Sequence, residues 1–150
     1  AALADGDAEW AWRALGRPYA IEGRVVEGRG LGRDLGFATA NVSPGEFMVP
    51  AEGVYAASAF VGGERHLTAL SIGSTPTFAG TATVIEAHLL DFNEDVYGQL
   101  MRLELLGWLR PQKKYVSSSE LVTQIEKDVA AVRQMALRIN EQVNHADRAD

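Results

Sequence analysis

The sequence predicts a mainly β fold, an antiparallel sheet closed into a barrel with a helix at each end, and three observations carry that expectation. Between residues 19 and 110 the apolar positions follow the two-residue period of strands. The runs are joined by short, turn-rich connections with no helical stretch among them. After residue 116 the period lengthens to that of a helix.

The first element is a short helix over residues 5–15: Asp5 caps the start, Ala8, Trp12 and Leu15 share a face, and Gly16 and Pro18 end it. Residues 19–27 are rich in β-favouring side chains. Residues 54–61 run into Gly62 and Gly63, a two-residue hairpin signal, and 65–72 continue beyond it. Residues 82–92 and 99–109 are two longer runs joined by an acidic turn at Asn93, Glu94 and Asp95. In the last run Met101, Leu103, Leu105 and Leu109 are expected on one face. Ser117 and Glu120 form a capping box, after which Leu121, Ile125, Val129, Val132, Ala136, Ile139 and Val143 make a helical stripe. The polar tail, 145–150, is expected to fray.

Composition narrows the function classes. A chain of 150 residues, 47% hydrophobic and 23% charged, is the size and make-up of one globular domain. A formal charge of −6 argues against a nucleic-acid partner, whose phosphates need clustered Lys and Arg. There is no cysteine, hence no disulfide, thiolate metal site or thiol nucleophile, which fits a reducing cytoplasm. No apolar run approaches the roughly 18 residues of a membrane span, and no signal peptide is visible. The chain opens at Ala1 rather than Met, which leaves room for an upstream domain.

The most informative stretch is 23–41, GRVVEGRGLGRDLGFATAN. Gly28, Gly30 and Gly32, spaced by two, suit neither helix nor strand. A loop without Cβ atoms can turn its backbone N–H groups onto a phosphate, and Arg29 and Arg33 add positive charge. The pattern is neither a Walker A loop nor a dinucleotide fingerprint, and a hairpin without chemical consequence fits it as well. Thr39 and Asn41 lie two apart on an extended segment, so their oxygens point the same way; they suit Mg²⁺ or a simple turn into Pro44. Glu86 shares a strand face with Val84, His88 and Leu90, either solvated or poised as a general base. With only three histidines, no hydrolytic triad or zinc cluster emerges, and His88 reads as structural.

Taken together and in order, GRPY (16–19), LGFATAN (35–41), GVY (53–55), SIGSTPTF (71–78), IEAHLLDFNEDVYG (85–98), WLRPQKKYVSSSEL (108–121) and QIEKD (124–128) resemble the riboflavin kinase family. The opening segment, 1–16, is similar to the linker helix that precedes this module in bifunctional bacterial FAD synthetases. The resemblance implies a six-stranded antiparallel Greek-key barrel over 17–144 with the C-terminal helix packed on it. It also implies riboflavin/FMN and ATP/ADP as ligands, Mg²⁺ as cofactor, and an N-terminal FMN adenylyltransferase domain as partner.

The same resemblance implies the site roles. Thr39 and Asn41 hold Mg²⁺ and the ATP phosphates, and Glu86 is the catalytic base. Gly23, Gly28, Gly30, Gly32 and Arg33 cover the phosphates, with Leu89, Asp91 and Tyr97 near the nucleoside. Arg110, Lys113 and Tyr115 belong to a loop that closes over the flavin. Three positions depart from the family pattern: Ala38 for Pro, Gln112 for Glu and Tyr115 for Phe. None removes a reacting group. A non-catalytic flavin-binding barrel and an FMN-dependent oxidoreductase barrel remain the alternatives; ATP-dependent ADP release separates the first from a kinase, and a yellow protein with nicotinamide-linked redox activity marks the second.

Overall fold

Six strands and one long helix make up the computed structural model, which describes residues 19–26, 39–44, 50–92 and 94–148. The strands are β1 (Tyr19–Val26), β2 (Thr39–Pro44), β3 (Gly53–Val61), β4 (Glu64–Thr77), β5 (Gly80–Leu89) and β6 (Leu100–Arg110), followed by α1 (Ser118–Arg148). Every ladder is antiparallel, and the strands close in the order β1-β2-β5-β4-β3-β6. Consecutive hairpins join β3, β4 and β5, whereas β6 returns to pair with β3, which is Greek-key order. β1 and β2 fill the gap between β6 and β5. The barrel is thus the six-stranded Greek key that the motifs imply. The expected helix over 5–15 lies outside the described residues.

Alternation accounts for the interior. Ile21, Val25, Val42, Tyr55, Leu70, Ile72, Ile85, Leu103 and Leu105 are all buried in one cluster inside the barrel. β3 breaks the alternation because it is covered twice: nearly all of GVYAASAFV is buried. Its outer face meets α1, and the small Ala56 there lets Val132 and Met135 approach closely. β1 passes β2 so closely that a side chain at Gly23 would strike the Ser43 carbonyl.

One expectation fails in β6. Met101, Leu103 and Leu105 do face the barrel interior, but Leu109 belongs to the cluster beneath α1. Two register shifts against β3 are the reason: the pairing skips Leu106 and Leu109. Each extra residue leaves the ladder and reverses the facing of the residues after it. Leu106 and Leu109 therefore serve the helix, while Trp108 turns to meet Tyr55 edge-on, with ring centroids 5.3 Å apart and planes at 88°. The indole occupies the space that a side chain at Gly53 would need, and Gly53 has φ +156°.

The helix start meets half of its expected capping box, because the Glu120 carboxylate reaches one residue beyond the Ser117 N–H. Ser117 Oγ accepts the Glu120 N–H at 3.2 Å, and the Glu120 carboxylate accepts the Val116 N–H at 3.2 Å. Helical backbone continues to Arg148, past Asn144, where the sequence pattern ends.

Candidate active site

The site lies on the outer face of the barrel, where β2, β5 and β4 run side by side. Inward-facing Ala40, Val42, Ile85 and Ala87 fix the phase of β2 and β5, so Thr39, Asn41, Glu86 and His88 point outward. Register then pairs them: Thr39 is opposite His88 and Asn41 is opposite Glu86. Directly opposed residues hold their Cβ atoms on the order of 5 Å apart. On its other side Glu86 is opposite Ser71 of β4. Asn41, Glu86 and Ser71 thus form one polar row across three strands.

That row lies in a cleft of about 750 Å³ among the described residues. Ser74, Thr75 and Thr83 extend the polar wall along the β4–β5 hairpin. Gln112, Lys113 and Lys114 enter from the segment after β6, and Glu52 from the approach to β3. Two carboxylates and two ammonium groups therefore share the cleft. Hydroxyl, amide and ammonium groups around a half-buried carboxylate suit a polar or phosphorylated ligand better than an apolar one.

The described residues contain no group of three or more His, Asp or Glu that could hold a metal. A cation here would take neutral oxygens from Thr39 and Asn41 and complete its shell with water and phosphate, as Mg²⁺ does. The donor set fits. Thr39 stands one step along β2 from Asn41 on the same face, beyond the residues that line the cleft.

Other residues singled out in the sequence are placed elsewhere. Leu89 is buried inside the barrel. Asp91, just after β5 and in a left-handed conformation (φ 56°), accepts two 3.0 Å bonds from Arg133 of α1. Tyr97 is exposed in the β5–β6 connection, its N–H bonded to Asp95 at 2.9 Å. Gly23 is a buried strand position. Gly28, Gly30, Gly32 and Arg33 lie outside the described residues.

Arg110 and Tyr115 are tied to the helix. The Arg110 guanidinium donates Nε to Asp128 Oδ1 at 2.8 Å and Nη2 to Oδ2 at 2.7 Å, a two-point fork on a nearly buried carboxylate. It also donates to the Tyr115 hydroxyl at 3.0 Å and the Pro111 carbonyl at 3.0 Å, while Gln124 donates to Asp128 at 3.0 Å. The bond to Asp128 outweighs desolvation and raises the Arg110 pKa above its already high ordinary value. Of the three flavin-loop candidates, only Lys113 lines the cleft.

Sequence reasoning missed Ser71, Glu52 and Lys114 as members of this cleft, and singled out Gln112 only as a departure from the family pattern. The alternation of β4 puts Ser71 on the outer face, but its place beside Glu86 depends on register. Lys114 comes directly after Lys113 in a segment without regular structure, where nothing in the pattern marks direction.

Comparison with known proteins agrees with this architecture. A family model described as Flavokinase, riboflavin kinase, matches residues 15–136. Proteins named bifunctional riboflavin kinase/FMN adenylyltransferase are 39% identical over 133 residues in Haemophilus influenzae, covering 88% of this chain and 43% of that protein. In Bacillus subtilis the identity is 43% over 131 residues, covering 85% and 42%. The chain therefore spans about two fifths of the length of these relatives. Among solved structures, a riboflavin kinase from Trypanosoma brucei superposes with TM-score 0.59 at 25% identity, covering 84% of each chain. A Streptococcus pneumoniae protein named as a macrolide-efflux protein superposes with TM-score 0.85 at 32% identity, covering 88% of this chain and 44% of that one. With a family model spanning most of its length and a barrel of matching topology, the chain belongs to the riboflavin kinase family.

Proposed function

We propose that this chain transfers the γ-phosphate of ATP to the ribityl 5′-hydroxyl of riboflavin, giving FMN and ADP. The observation that carries the reading is the opposition of Glu86 and Asn41 across the β2–β5 ladder, inside one polar cleft. Glu86 acts as general base: its carboxylate takes the hydroxyl proton as that oxygen attacks the γ-phosphorus. Asn41 and Thr39 present an amide oxygen and a hydroxyl on the face beside it and hold Mg²⁺ with the ATP phosphates. When bound, Mg²⁺ supplies positive charge against the β- and γ-phosphate oxygens.

Phosphoryl transfer depends on positioning more than on covalent chemistry, and rigid strands are suited to it. Lys113 and Lys114 bring cationic charge to the same cleft. The glycine loop over 28–33, with Arg33, covers the phosphates, and Asp91 and Tyr97 border the nucleoside. In the full-length protein an N-terminal FMN adenylyltransferase domain precedes this module. No helix among the described residues is long and apolar enough to cross a membrane.

The test is ADP release from ATP, Mg²⁺ and riboflavin, measured in parallel for Glu86→Gln. Turnover that requires riboflavin and falls about 10²- to 10⁴-fold in the variant is the expected result. A folded Glu86→Gln protein with near-normal turnover overturns the assignment of the base.

A further inference from the structure

Resting on the kinase reading above, we propose that Glu52 is a specificity-determining residue: it weakens the grip of the cleft on the phosphorylated product and leaves the neutral acceptor untouched. Two carboxylates, Glu52 and Glu86, line the cleft together with Lys113 and Lys114. Glu86 has a role in the transfer. Glu52 has none, and its place in the fold keeps it from taking one. It is exposed and stands one residue before β3, whereas Glu86 is on β5, with β4 between them. Two strand spacings hold the residues on the order of 10 Å apart, too far to share one hydroxyl proton.

The backbone at Glu52 is nevertheless fixed. Gly53, next in the chain, is the register partner of Ile72. Its carbonyl lies 3.4 Å from Gln112 Nε2, which also donates to the Ile72 carbonyl at 2.9 Å. Lys113 and Lys114 follow Gln112 directly, so Glu52 and the two ammonium groups enter the cleft from neighbouring backbone. Among the described residues, none of the three is in an ion pair. Their charges are not tied up in contacts with one another and act on whatever occupies the cleft.

The reaction changes the charge of that occupant. Riboflavin is neutral, and the phosphoryl group it gains carries about two negative charges near pH 7. Lys113 and Lys114 attract the new phosphate and act to retain the product. A carboxylate within about one Debye length opposes them. The force acts on charge alone, so it raises the free energy of bound FMN and not that of bound riboflavin. ATP and ADP are anionic before and after the transfer, and Glu52 does not separate them.

The experiment measures the inhibition constants of FMN and ADP and the KM values of riboflavin and ATP, in wild type, Glu52→Gln and Glu52→Lys. Glu52→Gln should lower the FMN constant about three- to fivefold at low salt, and Glu52→Lys about tenfold. The riboflavin KM, and the ratio of the ADP constant to the ATP KM, should stay within about twofold. In about 1 M salt, where screening acts within about 3 Å, the differences should vanish. An unchanged FMN constant, an equal fall in the riboflavin KM, or an effect that survives high salt overturns the role. Wild-type protein separates the two layers. If it releases no ADP with riboflavin, the kinase reading fails and this role with it. If it turns over and FMN inhibits the variants as it does the wild type, the role of Glu52 alone fails.

Discussion

Asn41 and Glu86 are register partners on neighbouring antiparallel strands, side by side on the outer face of a closed barrel. Their spacing is set by backbone hydrogen bonds rather than by a loop, so it survives changes in either side chain. Asn41→Ala should therefore leave the barrel intact and lower turnover by about a hundredfold or more, with a raised Mg²⁺ requirement. A Mg²⁺ titration of ADP release checks this; an unchanged metal requirement removes Asn41 from the proposed ligand set.

The fork between Arg110 and Asp128 joins the end of β6 to α1 across 18 residues of sequence. Asp128→Ala strands a half-buried guanidinium and should destabilise the fold by about 3 kcal/mol. Arg110→Lys should lose most of that stabilisation too, because an ammonium lacks the planar fork. Urea unfolding of the two variants gives both numbers.

Gly53 is a position where any side chain collides with the Trp108 indole. Gly53→Ala should cost about 2 kcal/mol or more, combining steric displacement with an unfavourable φ. Tyr55 and Trp108 would lose their edge-on packing, and the near-ultraviolet circular dichroism of the native protein should change accordingly.

Tyr55 is fully buried and donates its hydroxyl hydrogen to the Ala51 carbonyl, and burial pushes its pKa up to about 12 from an ordinary 10.0. The unfolded chain therefore loses this proton first. Its contribution to stability is complete below pH 10 and disappears as pH rises from 10 to 12, by on the order of 2 kcal/mol. The difference in unfolding free energy between wild type and Tyr55→Phe should shift against the wild type across that interval, and a constant difference overturns the prediction.

Much of the barrel is legible in the sequence because strands expose their phase. The alternation in 82–92 puts Glu86 on one face with Val84 and His88 and opposite Ile85 and Ala87, and the spacing of Thr39 and Asn41 gives them a common face; which face is outward comes from the burial of Ile85 and Ala87. What the pattern lacks is register. Ser71 becomes a neighbour of Glu86 only through the β4–β5 pairing. The pairing of β6 with β3 breaks at Leu106 and Leu109, where a run of leucines offers no mark of an extra residue. For that reason strict alternation puts Leu109 on the wrong face. Arg110 and Tyr115 carry side chains suited to a flavin loop, yet Arg110 forks onto Asp128, on a helix whose docking no local pattern describes, and Tyr115 follows it by accepting from the same guanidinium.

β6 is the closing stave of the barrel, hydrogen-bonded to β1 on one side and to β3 on the other. As the chain leaves the ribosome, β1 must wait for a partner encoded some eighty residues later, and β3 has only β4 until then. A product truncated before residue 100 would bare two strand edges at once, each able to recruit a foreign strand. Premature termination in this protein is thus a route to aggregates rather than to a smaller working barrel.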